Sequence, residues 1–357
     1  MSSDAICPLP FFQLFLNPNG TVTPCCYLSQ QEPASYDVGD IRVQTLEEMW
    51  NGEPMRALRR SFLSGDPKIC RKYIDRHQCN RIHAPSLAHV ELNESLPFPM
   101  RKLDLMLNGK CNLECVMCGV WTQPNQVYTE NGFWEEGAAK IFPYLKVIDA
   151  KGGEPFIQKE IYRLIDEVSR VNPACQWLFT TNGQYRFNDR IASYASKIMI
   201  SHLSVSIDSL DPENFARIRL KGRLAQTLES LDRWIAFSKF SRATNPVQGR
   251  SGFEVNVNMC VQQANWKEVP RMYEFCARKG IPPFFTLLTQ PARLSLFDLP
   301  VEEKIQVLEF YLSAAKEHQD DVYSRLIRPL AASLPGPVNL KGLESARRGR
   351  SIAAVDY

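Results

Sequence analysis

Cys111-Asn112-Leu113-Glu114-Cys115-Val116-Met117-Cys118 puts three thiols into eight residues, at C-x3-C-x2-C spacing. A cubane [4Fe–4S] cluster takes one ligand on each of its irons. Three cysteines therefore leave one iron open to a substrate or cosubstrate, whereas full cysteine ligation marks electron transfer or structure. Zinc is the competing reading, but a structural zinc site asks for a second cysteine pair at short spacing. No such pair lies near this stretch, so an iron–sulfur cluster with an open iron is the expectation.

Outward from this loop, from about residue 101, short apolar runs alternate with amphipathic stretches, the rhythm of βα units. Candidate strands are 103–107, 145–150, 177–180, 203–207, 253–259 and 284–288. Ile161, Leu164, Ile165 and Val168 repeat at helical spacing, as do Trp266, Val269, Met272, Tyr273 and Cys276. Six strands with right-handed crossovers predict an α/β fold, a partial, TIM-like (β/α)6 barrel. The first predicted strand runs into the cysteine loop. The second ends in Lys151-Gly152-Gly153-Glu154-Pro155, the third in Thr180-Thr181-Asn182-Gly183, and the fourth in Ser206-Ile207-Asp208. All lie at C-terminal strand ends, where α/β barrels build their sites. A glycine pair admits a ligand close to the backbone, and a glutamate supplies an acceptor for an ammonium group.

On these residues the chain resembles the radical S-adenosylmethionine (radical SAM) enzymes, whose signature is C-x3-C-x2-C. Asn108-Gly109-Lys110 before the motif and Asn112-Leu113 within it strengthen the likeness, which spans about residues 100–290. Met117 departs from it, standing where an aromatic is usual; a methionine still covers an adenine with an adaptable apolar surface. The resemblance implies that Cys111, Cys115 and Cys118 hold a [4Fe–4S] cluster coordinated with S-adenosylmethionine. Gly152, Gly153 and Glu154 then hold the cosubstrate's amino group, and Ser206 and Asp208 its ribose or carboxylate. Asn182 shapes the site. Arg219 is either a partner for the carboxylate or a solvated cation at a helix end. The implied chemistry is reductive cleavage of S-adenosylmethionine to a 5′-deoxyadenosyl radical, which abstracts hydrogen from a substrate.

Cys7, Cys25, Cys26, Cys70 and Cys79 form a second set ahead of this region. Cys7 and Cys25 flank the turn signal Asn17-Pro18-Asn19-Gly20, and the C-x12-G-x4-C spacing resembles the opening of SPASM and Twitch modules. Thr45–Gly52 resembles their short intervening helix. The resemblance implies one auxiliary [4Fe–4S] cluster on Cys7, Cys25, Cys70 and Cys79, with Cys25 preferred to Cys26. Such modules usually follow the barrel, whereas here the module precedes it. A four-cysteine zinc site is the alternative. Eight Lys and Arg between residues 56 and 81 face two acids, Asp66 and Asp75. They read as compensation for anionic thiolates or as a solvated face, ahead of a patch for RNA. Cys276 reads as a core thiol.

The expected organisation is 1–98 auxiliary module, 99–290 barrel and 291–357 C-terminal helix and tail. The chain has 357 residues, 44% hydrophobic and 23% charged, with net charge +3. That near-neutral balance does not point strongly to nucleic acid, and no apolar run is long enough for a membrane span. The start MSSDAICPLP lacks a signal pattern, so the cytoplasm is expected. Eleven cysteines there read as metal ligands and buried thiols. The expected function is an oxygen-sensitive radical SAM enzyme acting on a peptide or protein side chain, a peptide maturase. Its partners would be a reductant such as flavodoxin or ferredoxin and a separate leader-binding protein. The alternatives are a sugar, nucleotide or other small metabolite, RNA, or a metal-binding scaffold without catalysis.

Overall fold

The computed structural model describes residues 7–29, 36–70, 91–129, 132–244, 252–318 and 321–335. The chain enters with β1 (Gln13–Leu16), β2 (Thr21–Thr23) and β3 (Gly39–Asp40). Then come β4 (Lys102–Leu105), the two-residue β5 (Glu114–Cys115), β6 (Val147–Ala150), β7 (Gln176–Thr181) and β8 (Met199–Ser206). The two-residue β9 (Arg219–Leu220), β10 (Glu254–Val261) and β11 (Pro283–Leu287) complete the strands. The parallel ladder β4-β6-β7-β8-β10-β11 is the partial barrel, and each strand overlaps its predicted run.

Residues alternate across these strands as the period of two requires. Val205, Val255, Val257, Met259 and Val261 are buried in the hydrophobic core. Ser204, Ser206, Asn256, Asn258 and Cys260 occupy the opposite face of the same two strands. Helices cover the apolar face. Ile161, Leu164, Ile165 and Val168 are buried on Lys159–Val171, the spacing expected. Val269, Met272 and Cys276 are buried on Val269–Lys279, so Cys276 is the core thiol expected. Val301–His318 and Ser324–Ala332 add a C-terminal helical pair with Tyr311, Leu326 and Leu330 buried. Most of the C-terminal tail lies outside the described residues.

The N-terminal segment joins the barrel instead of standing beside it. β1 pairs parallel with β4, Gln13 opposite Lys102 and Leu16 opposite Leu105, so hairpin and barrel form one nine-stranded sheet. Without β1 the first barrel strand would be an open edge with unpaired backbone groups. The hairpin turn forms as read: Asn17 N donates to Thr21 O at 2.9 Å, and Gly20 takes φ +91°. The expected short helix is α1 (Leu46–Trp50), closed by a Thr45/Glu48 capping box. Glu136, from the barrel, accepts the backbone N–H groups of Leu46 and Glu47 at 2.9 and 3.0 Å. A carboxylate at a helix N-terminus is favourable, and here it ties the module to the barrel. The basic stretch is partly internal. Arg59 is buried against the Trp50 ring and donates to Pro10 O at 2.9 Å, burial lowering its pKa to about 10. Arg56 and Arg60 pair with Glu53 and Glu94. Patch residues 71–81 lie outside the described residues.

Candidate active site

The cysteine loop leaves β4 at its C-terminal end and is held by a small sheet. β5 pairs antiparallel with β9, Cys115 opposite Arg219 and Glu114 opposite Leu220, and Val116 N donates to Ile218 O at 3.0 Å. Each sulfur faces a donor. Cys111 Sγ accepts from Leu113 N (3.4 Å) and Asn182 Nδ2 (3.5 Å), and Cys118 Sγ accepts from Val120 N (3.5 Å). Arg219 Nη1 stands 3.9 Å from Cys115 Sγ. Burial pushes the Cys115 thiol up to about 11, with Arg219 pulling against it and Cys118 and Cys111 adding to the rise. Burial also raises Cys111, with Cys118 again among the causes. The three thiols thus feel one another. Donors aimed at sulfur favour thiolate ligands, and a metal replaces their protons on binding. Among the described residues no three Cys, His, Asp or Glu side chains close on a single ion. A cubane takes three thiolates at three separate irons, the number and type of donor this loop supplies. Met117 is half-buried within the loop.

The glycine turn is built against this loop. Gly152 and Gly153 have φ +83° and +57°. A Cβ on Gly152 would collide with Met106, and one on Gly153 with the Lys110 carbonyl oxygen. Here the missing side chains let strand end and cysteine loop meet, an additional reason to the ligand approach read from sequence. Gln158 Nε2 ties the two by donating to Gly152 O (2.9 Å) and Lys110 O (3.1 Å).

Glu154 is fully buried, and its carboxylate is turned inward. It accepts from Asn182 N (2.7 Å), Phe156 N (3.2 Å) and the Thr181 hydroxyl (2.8 and 2.9 Å). Burial lifts its pKa to about 7 against the pull of those donors. Its oxygens therefore clamp the ends of β6 and β7. Asn182 is fixed on both sides: Nδ2 donates to Asn112 Oδ1 at 2.9 Å, and Oδ1 accepts from Gln184 N at 2.8 Å. Ser206 is buried at the end of β8.

Asp208 and Arg219 form a buried ion pair, Nε to Oδ2 2.8 Å, while Cys260 N donates to Asp208 Oδ1 at 2.7 Å. Arg219 is thus not a solvated helix-end cation. Its guanidinium braces Cys115 from behind, and Asp208 neutralises it. Burial raises the Asp208 carboxyl and Arg219 opposes the rise.

Two features were not assigned from sequence. Cys260 lies within electrostatic reach of Cys115, Cys118, Asp208 and Arg219, and burial raises its thiol strongly. On β4 and β6, Asp104 and Asp149 stand opposite each other. Lys151 Nζ bridges them at 2.7 and 2.9 Å, with Lys102 3.6 Å from Asp149. The patterns Lys-Leu-Asp-Leu and Val-Ile-Asp-Ala, polar residues at period two on central strands, carried that signal.

In the module, burial raises the Cys25 thiol, and Cys26, Cys7 and Cys70 add to the rise. The Cys25 thiol thus lies within electrostatic reach of Cys26, Cys7 and Cys70 alike, while Cys79 lies outside the described residues. Cys26 is also within electrostatic reach of Lys151, which joins this set to the barrel's charged cluster.

Residues 7–80 match the family model of SPASM, an iron–sulfur cluster-binding domain, and residues 106–242 match that of the radical SAM superfamily. A GTP 3′,8-cyclase of Hydrogenovibrio crunogenus is 29% identical over 210 residues, 56% of this chain and 59% of that protein. A probable GTP 3′,8-cyclase of Methanocaldococcus jannaschii is 24% identical over 238 residues, 63% of this chain and 70% of that protein. The chain thus spans 59% of the length of the first relative. The crystal structure of Streptococcus suis SuiB aligns with 87% of this chain and 69% of its own, at 11% identity and TM-score 0.44. No described helix is long and apolar enough to cross a membrane. The two matched models imply [4Fe–4S] clusters and S-adenosylmethionine as the cofactors. With its three-cysteine loop at the mouth of a parallel partial barrel and a cysteine-rich module ahead of it, the chain carries a radical SAM domain over residues 106–242 and a SPASM-type module over residues 7–80.

Proposed function

We propose that this protein is a radical SAM enzyme acting on a small molecule of the nucleotide class. The observation that carries the radical reading is the cysteine loop itself. Three mutually interacting thiols, each facing an N–H or guanidinium donor, stand against a glycine turn at the C-terminal end of a parallel sheet. A bound [4Fe–4S] cluster with S-adenosylmethionine supplies reductive carbon–sulfur cleavage and hydrogen abstraction.

The chain's own residues hold and orient. Cys111, Cys115 and Cys118 are the cluster ligands, and Arg219 offsets the thiolate charge beside Cys115. The backbone of the Gly152–Gly153 turn takes the cosubstrate's amino end, the turn itself being fixed by Gln158 and by the inward clamp of Glu154. Ser206 offers a hydroxyl and Met117 an apolar cover; Asn182 keeps the loop in register. Cys7, Cys25 and Cys70 hold the auxiliary cluster, with Cys79 as the fourth ligand. The polar face of β8 and β10 receives the substrate, its hydroxyls and amides suited to a hydrogen-bonding ligand.

The relatives named GTP 3′,8-cyclase favour a nucleotide over the peptide expected from sequence. The test is S-adenosylmethionine turnover by reduced holoenzyme with GTP, ATP, nucleotide sugars and short peptides. Stimulation by a nucleotide supports the reading. Stimulation by peptides alone restores the maturase reading.

A further inference from the structure

The segment Arg217-Ile218-Arg219-Leu220-Lys221-Gly222-Arg223 puts four cations into seven residues and no acid. Its middle is β9, the backbone partner of the Cys115 strand. Side chains alternate there. Arg219 turns in to Asp208 and Cys115, so Leu220 turns outward and is 42% exposed. Lys221 follows at 61% side-chain exposure, paired only at the rim with Glu114. Arg217 and Arg223 are exposed too, as is Lys110, next to Cys111. Within residues 108–123 and 215–223, Glu114 is the single acid.

Lys221 carries the second observation. At φ 69° it is the one positive-φ residue other than glycine among the described residues, in a turn closed by Gly222 N to Arg219 O at 2.8 Å. A lysine held in left-handed backbone, where glycine or asparagine sits without strain, points to function. The turn projects an ammonium outward over a strand whose other side touches a ligand cysteine.

We propose that the Arg217–Arg223 ribbon is the docking surface for an acidic one-electron carrier protein, such as a flavodoxin, that reduces the cluster on Cys111, Cys115 and Cys118. The inference rests on the radical SAM reading and adds the place of electron entry. The ribbon's strand is the hydrogen-bonded neighbour of the Cys115 strand, with Leu220 and Lys221 exposed where Arg219 turns in to Asp208. Positive charge around an exposed leucine, with Glu114 the single acid in these two stretches, complements an acidic partner. Electron-transfer encounters are small and short-lived, so a patch of this extent suffices. Trp121, three residues past Cys118 and 40% exposed, is a second outward apolar group on the same loop.

The experiment compares wild-type holoenzyme with the Lys221→Gly/Arg223→Glu variant, both anaerobic. Lys221→Gly removes charge while suiting the backbone. Cluster bleaching is timed by stopped flow with photoreduced flavodoxin and, separately, with dithionite, across a salt series; flavodoxin affinity and gel-filtration mass are also measured. The expected result is an about tenfold slower flavodoxin reaction at low salt, weaker binding and a flatter salt dependence, with the dithionite rate unchanged. An unchanged flavodoxin rate overturns the docking surface. So does an equal slowing with dithionite, which marks structural damage, or a change in mass, which marks an interface between copies. Wild-type protein with no reducible cluster overturns the underlying reading as well, and is distinguished by the dithionite arm alone.

Discussion

Replacing Glu154 by glutamine should make the protein's stability respond differently to pH. The carboxyl is fully buried and its pKa is raised to about 7, from the usual value near 4.5, because burial penalises the charge. A shift of about 2.5 units corresponds to about 3 kcal/mol. The folded state binds the proton more tightly than the unfolded state. This group's contribution is therefore fully present below about pH 4.5 and is lost as pH rises through about 7. Glutamine has no such titration. It does put an amide N–H₂ against either Phe156 N–H or Asn182 N–H, both of which now donate to the carboxylate, at a cost of about 1–3 kcal/mol. Glu154→Gln should be the less stable protein at pH 5 and should close or reverse that gap by pH 8. The wild-type-minus-variant difference should move by about 3 kcal/mol. Urea unfolding of reduced, metal-free protein at the two pH values measures it, and taking the difference cancels Asp104 and Asp208, whose carboxyls are also raised. An equal difference at both pH values would refute the buried-carboxylate reasoning.

Arg219→Ala leaves Asp208 charged and buried, a loss of about 3–5 kcal/mol. Adding Asp208→Asn should recover part of it in a double-mutant thermal unfolding cycle, and additive losses would contradict the pairing. Gly153→Ala meets both the left-handed backbone and the Lys110 carbonyl, so a loss on the order of 2–4 kcal/mol is expected in thermal unfolding. Gly152→Ala also meets left-handed backbone, but its clash is with the Met106 side chain and not with backbone, so Met106→Ala should rescue the steric part only. Lys151→Met removes the ion pair of buried Asp104 beside Asp149, which keeps Lys102 at 3.6 Å. The variant should be destabilised by about 3–5 kcal/mol at neutral pH and should recover in acid as the carboxylates protonate. Cys7→Ala, Cys25→Ala and Cys70→Ala should each lower bound iron from about eight to about four per chain, while Cys26→Ala retains it.

The partial barrel was legible because its strands are central and apolar on one face, and its chemistry sits in short local motifs at their ends. The docking of β1 on β4 was not legible. Four residues, Gln13–Leu16, are too few to name a partner strand, and that partner is Lys102–Leu105, far along the chain. Local spacing fixes a hairpin turn, whereas edge pairing is decided by tertiary packing. Glu154 shows a second limit. Its place after two glycines was readable, but the inward turn of the carboxylate depends on Thr181 and Asn182 from the next strand. Arg219 shows a third. A cation at a helix end looks solvated until the segment after β8 that bears Asp208 is folded beside it. The cysteines were the easiest to read, since a ligand type at fixed spacing needs no knowledge of long-range contacts.

The central claim is that Cys111, Cys115 and Cys118 support reductive cleavage of S-adenosylmethionine. Anaerobically reconstituted protein, reduced with dithionite, should release 5′-deoxyadenosine. The Cys111/Cys115/Cys118→Ala variant should release none while keeping the iron of the N-terminal set, about four per chain. Full iron loading with reducible clusters and no 5′-deoxyadenosine from the wild type would contradict the account and leave a metal-binding scaffold in its place.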